Sequence, residues 1–323
     1  MSDREEKTRK NDNGKKNKGG KRNKIVAIEM IILVLLIMAA VAIFIQRDKS
    51  VKEAAKIHNQ KAKKTEQTPQ AVQKENEIEE ETEGTEEKNG DRDASVPDRS
   101  NFAVQPGVSV GTTEQSDEKI VYLTLDDGPS DNTQAVLDIL DKYNAKATFF
   151  VTGEMPEYKD MIKAAYDKGH TIGMHTYSHD YAKVYASVDA YFQDLDQIGQ
   201  MVQEEIGYVP CFIRFPGGSS NTVSKKYTAG IMSTLVQEVQ NRGYQYYDWN
   251  GSSGDGSVRT TEELVAQATS FDSNNIILLC HDSHGKQTTV EALPQIIEHY
   301  QSLGYTFKAL DRDSFVAHHG VNN

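Results

Sequence analysis

Thr124-Leu125-Asp126-Asp127-Gly128-Pro129 places two adjacent carboxylates at the end of an apolar run, and His175-Thr176-Tyr177-Ser178-His179 places two imidazoles four residues apart. Carboxylates and imidazoles are the ligands of catalytic divalent-metal sites, which keep one position open for water or substrate. Three such ligands and one spare carboxylate are the inventory of a metal-dependent hydrolase, in which the metal polarises a carbonyl and a base activates a water. Neighbouring strand residues point to opposite faces. Both carboxylates can therefore serve one site only if the chain turns there, and Gly128-Pro129 supplies a turn. The histidine spacing predicts both rings on one face of a helical turn, a common zinc arrangement. A metalloprotease would carry Glu directly after the first His; Thr176 stands there, so that chemistry is excluded. Taken singly, Asp-Gly-Pro is an ordinary turn and a lone His pair is an ordinary surface feature. Their combination is not.

Three further words carry chemistry. In Arg214-Phe215-Pro216-Gly217-Gly218, the guanidinium can hold a carboxylate bidentately, and the loop leaves a backbone N–H able to face a developing oxyanion. Trp249 to Asp255 and Leu279-Cys280-His281 offer an Asp and a His; a buried Asp beside a His favours the imidazolium, which suits a general acid. Leu279 and His281 share a strand face, so Leu279 can line the pocket that His281 enters, while Cys280 points into the core. His284, His318 and His319 fit no constellation and read as structural or surface residues.

The elements that must position these words begin at Ile120 of the 323 residues and run to Leu310. Apolar β-rich runs alternate with helical patterns: Ile120–Leu125 then Thr133–Tyr143, Ala147–Thr152 then Glu157–Lys168, Thr171–Met174 then Val188–Ile206. Phe212–Phe215, Tyr244–Trp249 and Ile276–Cys280 follow, with helices Ser224–Arg242, Thr261–Ser270 and Val290–Ser302, and Thr306–Leu310 closes the series. This alternation predicts a parallel α/β sheet. Lys168-Gly169, Arg242-Gly243 and Leu303-Gly304 each place Gly where a helix can end in a left-handed residue before the next strand. About seven strands and six helices suit a distorted or incomplete (β/α) barrel, with an open doubly wound sheet as the alternative. Barrel sites lie at the C-terminal strand ends, and Asp126-Asp127, His175, Arg214, Asp255 and His281 all fall there. Scattered polar residues would not all choose one edge.

The first part of the chain is different. Residues 1–24 form a basic tail, with ten Lys/Arg against four Asp/Glu, and Ile25–Ile45 is an apolar stretch of 21 residues. At ~1.5 Å per residue it spans a hydrocarbon core of about 30 Å. An uncleaved anchor is the expectation, because Val41–Ile45 continues the apolar run past Met38-Ala39-Ala40-Val41-Ala42, the one place that could mimic a signal-peptide exit. The excess of basic residues before the stretch puts the N-terminus in the cytoplasm and the rest outside. Residues 46–118 are polar, and Glu75 to Glu87 contains eight Glu and no Lys or Arg. Such a segment cannot bury enough apolar surface to offset chain entropy, so it reads as a largely disordered linker before a domain at 119–323. The net charge of −12 excludes nucleic acid as a natural partner. Cys211 and Cys280 cannot form a disulfide framework, and two buried thiols are expected rather than one bridge.

Between Ile120 and Leu310 these five words, in this order, resemble the polysaccharide deacetylases of carbohydrate esterase family 4, the NodB-homology family. The resemblance implies a distorted (β/α) barrel. It implies Asp127, His175 and His179 as ligands of a divalent metal, Zn²⁺ first, with Co²⁺ or Mn²⁺ as alternatives. Asp126 becomes the general base for the attacking water, oriented by Arg214. The Gly217 N–H becomes an oxyanion donor, and His281, supported by Asp255, protonates the leaving amine. The products are acetate and a free glucosamine amine. Two departures, Gly217 where the family often has a bulky residue and Gly256 where it often has an aromatic one, predict thinner groove walls; Leu125 replaces a common Phe. The expectation is therefore a membrane-tethered, extracytoplasmic deacetylase of N-acetylglucosamine in peptidoglycan. Its rivals are a deacetylase of another polymer (a chitin-like oligosaccharide, poly-N-acetylglucosamine or acetyl-xylan) and a non-catalytic wall-binding module. The last would be marked by a lost ligand, and every ligand is present.

Overall fold

The computed structural model describes residues 99–323. The basic tail, the apolar stretch 25–45 and the acidic run lie outside the described residues; among those described, no helix is long and apolar enough to cross a membrane.

The strands and helices alternate as the sequence pattern requires. They are β1 (Ile120–Asp126), α1 (Thr133–Lys142), β2 (Ala147–Val151), α2 (Asp160–Asp167), β3 (Thr171–Met174), α3 (Tyr181–Val184), α4 (Val188–Ile206) and β4 (Phe212–Ile213). There follow α5 (Ile231–Asn241), β5 (Gln245–Tyr246), β6 (Gly251–Ser252), α6 (Thr261–Ala268), β7 (Asn275–His281), α7 (Gln287–Ser302) and β8 (Thr306–Phe307). The parallel sheet runs β5-β4-β3-β2-β1-β7-β6, with β8 beside the first residues of β1. The two ends of this path, β5 and β6, do not pair. The fold is thus the incomplete barrel, not the doubly wound sheet.

β1 lies at the centre and is buried throughout. Its alternate residues part between two cores. Val121, Leu123 and Leu125 join the outer core with the helices; Ile120 and Tyr122 join an inner core. The same period-2 rule sends Asp126 inward, and the ladder sets Asp126 directly beside His281 of β7. Cys211 belongs to the inner core and Cys280 to the outer one, and both thiols are free. Gly169, Gly243 and Gly304 have φ of 86°, 89° and 83°, the left-handed helix ends that the sequence predicted.

Three expectations need correction. Tyr244–Trp249 is not one strand. The chain leaves the β4 side after Tyr247, whose N–H donates to Ile213, and crosses to β7 at Asn250, whose side chain brackets the ladder by accepting from Ile277 N (2.7 Å) and donating to Asn275 O (2.8 Å). The helix expected over Ser224–Arg242 is broken, because Gly230 adopts φ 78° and only Ile231–Asn241 is α-helical. Residues 99–118, which composition gave to the linker, fasten to the barrel. Arg99 donates to His170 O at 2.5 Å, Cys211 N donates to Phe102 O at 2.9 Å, and Phe102 meets Phe212 edge-on at 5.3 Å. The final segment runs along the unpaired side of β5: Asp248 N donates to Ala317 O (3.0 Å), and Phe315, Val316 and Ala317 fill the inner core.

Candidate active site

Asp126 is the last residue of β1 and Arg214 follows β4, and the two form a buried ion pair: Arg214 Nη1 lies 2.7 Å from Asp126 Oδ1, at 0% and 3% side-chain exposure. The guanidinium is not bidentate on this carboxylate. Its other donations go to Thr124 Oγ1 (2.8 Å), Tyr247 O (2.9 Å) and Asp248 O (3.2 Å), and it lies 4.3 Å above the Phe150 ring. A buried charge without partners would be strongly destabilising; here one acid and three oxygens fix the cation, and the cation fixes Asp126.

Asp127 breaks the strand. Its φ of 68° turns the chain one residue earlier than Gly128-Pro129 suggested, and this brings the second carboxylate to the same edge. Asp127 Oδ1 lies 3.5 Å from His175 Nε2 and 3.4 Å from His179 Nε2. It is buried and accepts no hydrogen bond among the described residues. Burial would raise the pKa of Asp127, but His175, His179 and His281 hold it below the ordinary carboxylate value. His175 is fully buried, and burial first of all keeps its imidazole neutral. Its Nδ1 faces the carbonyl of Arg214 at 2.8 Å, which can only accept, so Nε2 carries the lone pair that faces Asp127. Two such nitrogens and one orphaned carboxylate oxygen, all within 4.8 Å of one another, fit a divalent cation.

The histidines are not on a helical turn. The loop from His175 to His179 is irregular, with Thr176 at φ 71° and His179 at φ 46°. Asp194 of α4 holds it from behind. Its carboxylate accepts from Tyr177 N (2.5 Å), Ser178 N (3.0 Å) and Ser178 Oγ (2.6 Å).

On the opposite side, His281 ends β7 and Asp255 follows β6. Asp255 Oδ1 is 2.8 Å from His281 Nδ1, and Oδ2 accepts from His281 N (2.8 Å) and Thr289 Oγ1 (2.9 Å). Burial alone would lower the His281 pKa; the hydrogen bond and charge of Asp255, with Asp126 and Asp127, lift it to about 9. His281 Nε2 stands 3.9 Å from Asp127 Oδ2. Leu279 is buried and belongs to neither core cluster, as a residue on the His281 face would be. Gly217 is exposed at the rim with φ 76°.

Some residues of this edge escaped the sequence. Asp194 sits among Tyr191, Phe192, Leu195 and Ile198 on the buried face of α4; an acid inside an apolar stripe was the readable signal. Asp282 is fully buried with Oδ2 accepting from Thr133 Oγ1 (2.6 Å), and burial pushes its carboxyl up to about 7. Asp248, also buried, accepts from Ser219 N, Ser219 Oγ and His319 N, which anchors the loop after Arg214. Of the unassigned histidines, His319 joins this anchor, His318 stacks on Tyr246 at 3.9 Å, and His284 pairs with Asp131 at the surface.

The polysaccharide deacetylase family model matches residues 113–236. The catalytic domain of a peptidoglycan N-acetylglucosamine deacetylase from Eubacterium rectale is 47% identical, with a TM-score of 0.63, over 65% of this chain and 97% of that one. The chain belongs to the polysaccharide deacetylase family. A peptidoglycan-N-acetylglucosamine deacetylase of Bacillus cereus is 29% identical over 65% of this chain and 78% of its own length. A chitin deacetylase of Arthroderma benhamiae is 36% identical over 54% of this chain and 46% of its own length. Family membership makes the chain a hydrolase of carbohydrate acetyl groups, and the edge described above is its candidate active site.

Proposed function

We propose that this deacetylase removes the N-acetyl group of N-acetylglucosamine in peptidoglycan, with Asp127, His175 and His179 holding Zn²⁺. The observation that carries the chemistry is the arrangement around Asp127: two imidazole nitrogens on one side, an Arg-locked carboxylate beside it, and a carboxylate-lifted imidazole on the other side. The likeness to peptidoglycan deacetylases supports the polymer.

The cation supplies Lewis acidity, polarising the amide carbonyl and making water a better nucleophile near neutral pH. The chain's own residues do the proton work. Asp126 Oδ1 is held by Arg214, so Oδ2, which lies 3.7 Å from His175 Nε2, is the oxygen free to take a proton from the attacking water. That water oxygen bonds to the carbonyl carbon. With its pKa lifted to about 9, His281 is an imidazolium near neutral pH and donates its Nε2 proton to the departing nitrogen as the C–N bond breaks. Asp255 keeps the other ring nitrogen bonded through both states. The Gly217 N–H serves the oxyanion. Acetate leaves, and a glucosamine amine remains on the polymer.

The apolar 21 residues at Ile25–Ile45 and the basic tail before them support a single-pass anchor with the N-terminus in the cytoplasm and the enzyme outside, next to its substrate. Residues beyond the anchor act as a polar tether.

Acetate release from peptidoglycan and from chito-oligosaccharides, with Zn²⁺, with chelator and for Asp126→Asn, tests the reading. Metal-dependent release abolished by Asp126→Asn is expected, with peptidoglycan preferred. Preference for the oligosaccharide would move the substrate to chitin-like polymers, which the likeness to a chitin deacetylase keeps in view. No release from either under any metal would overturn the deacetylase. Membrane fractionation, with protease added to intact cells, tests the anchor: a soluble full-length chain or a protected domain would sink it.

A further inference from the structure

Gly217 was expected to thin the groove wall. A Cβ built there would lie 2.6 Å from Tyr181 Oη, 3.5 Å from Tyr181 Cζ and 3.1 Å from Asn221 Cβ. The first of these separations is one that real side chains do not adopt, so the Tyr181 hydroxyl already occupies the room that a side chain at 217 would need. The left-handed φ of 76° adds a second reason for glycine at this position.

Tyr181 is held where it stands. It opens α3 directly after Asp180, whose carboxylate accepts from Ala182 N at 2.9 Å. Its ring meets His179 edge-on at 5.8 Å and Tyr185 at 5.5 Å. Tyr185 in turn donates to Pro216 O at 2.8 Å, which ties this aromatic pair to the Arg214–Gly218 loop. The ring therefore bridges a histidine of the Asp127 cluster and the loop that presents the Gly217 N–H. Its hydroxyl has no hydrogen-bond partner among the described residues, and its side chain is half-buried.

We infer that Tyr181 is a substrate-contacting catalytic residue: its ring replaces the wall that a side chain at 217 would form, and its O–H donates to the acetamide oxygen beside the Gly217 N–H. The inference rests on the deacetylase reading. As the carbonyl carbon accepts water, negative charge gathers on that oxygen, and a donor fixed beforehand stabilises it without reorganisation. Removing one oxyanion donor costs about 10²-fold or more in rate where the donor acts almost alone. Shared with a backbone N–H and a cation, this one is expected to be worth roughly 10- to 100-fold.

The test compares full-length wild type, Tyr181→Phe and Tyr181→Ala in Zn²⁺-dependent acetate release from a chito-oligosaccharide and from peptidoglycan, with Zn²⁺ affinity measured separately by competition with a chromophoric chelator. Tyr181→Phe keeps the ring, so it should hold Zn²⁺ as the wild type does and bind substrate with an unchanged KM, while kcat falls about 10- to 100-fold. Tyr181→Ala should lose the wall as well and raise KM. A Tyr181→Phe enzyme with wild-type kcat and KM would overturn the inference. So would a loss of activity matched by weakened Zn²⁺ binding, because Tyr181 would then act only through His179. An inactive wild type would instead remove the deacetylase reading, and this inference with it.

Discussion

Asp194 and Asp255 are two buried acids with the same number of donors and different tasks. Asp194 accepts from Tyr177 N, Ser178 N and Ser178 Oγ, all on the loop between two histidines, and touches neither ring. Asp255 accepts from His281 N, His281 Nδ1 and Thr289 Oγ1, so one of its three bonds reaches an imidazole that titrates. The first carboxylate fixes the loop that carries His175 and His179. The second also sets the charge that a ring carries, since its hydrogen bond and charge more than offset burial and lift His281 to about 9. One device, a carboxylate gathering otherwise orphaned donors, thus yields geometry on one side of Asp127 and protonation on the other.

The comparison breaks most visibly at Asp255. Asp255→Asn should lower kcat by about 10²-fold, in the range of a general acid, and should bring the basic limb of the kcat profile down towards the ordinary histidine pKa. Zn²⁺ affinity, read by chelator competition, should hardly change. An unmoved basic limb would mean that His281 is not the titrating acid. Asp194→Ala should do the reverse. Zn²⁺ binding is expected to weaken by roughly 10- to 100-fold, the usual effect of losing a group that orients a ligand, and excess Zn²⁺ should restore much of the rate with the pH limbs in place. If Asp194→Ala shifted a limb instead, the division of tasks would be wrong. Ser178→Ala removes one of the three donors to Asp194 and should weaken Zn²⁺ binding only a few-fold, roughly the worth of one charge-assisted bond screened by its neighbours.

The smallest effect concerns stability. The folded His281 pKa is raised above its ordinary 6.5. Its contribution is therefore complete below pH 6.5 and is lost as pH rises through about 9. The metal-free wild type should show a melting temperature that falls across this window, and Asp255→Asn should flatten that fall. Equal slopes in the two proteins would show that Asp255 does not hold the proton on His281.

Much of this edge was legible. Asp126, Asp127, His175, Arg214 and His281 could be placed because each closes or follows an apolar run, and Asp255 because it falls in the Gly/Ser turn region beyond one; strand periodicity with turn residues is a local property. The residues around them were not legible for the opposite reason. Arg214 reaches Asp126 across 88 residues of sequence, and its remaining donors go to Thr124, Tyr247 and Asp248 instead of to a second oxygen of Asp126. The four-residue spacing of the histidines implied a helical turn; left-handed residues at Thr176 and His179, clamped from another helix, achieve the convergence by a different route. Tyr181 read as nothing in particular until the space beside Gly217 was visible.

By itself, the sequence determined the alternation of strands and helices, the edge on which the chemistry gathers, and the set of groups able to hold a cation and move protons. These follow from side-chain period, turn-forming residues and functional-group identity, which are fixed within a few residues. Tertiary structure alone decided that the barrel stays open between β5 and β6, which oxygens Arg214 would satisfy, and that Asp194 and Asp255 would hold opposite flanks of Asp127. These depend on which distant segments exclude water from one another, and every buried donor must then find its acceptor wherever the packing places one.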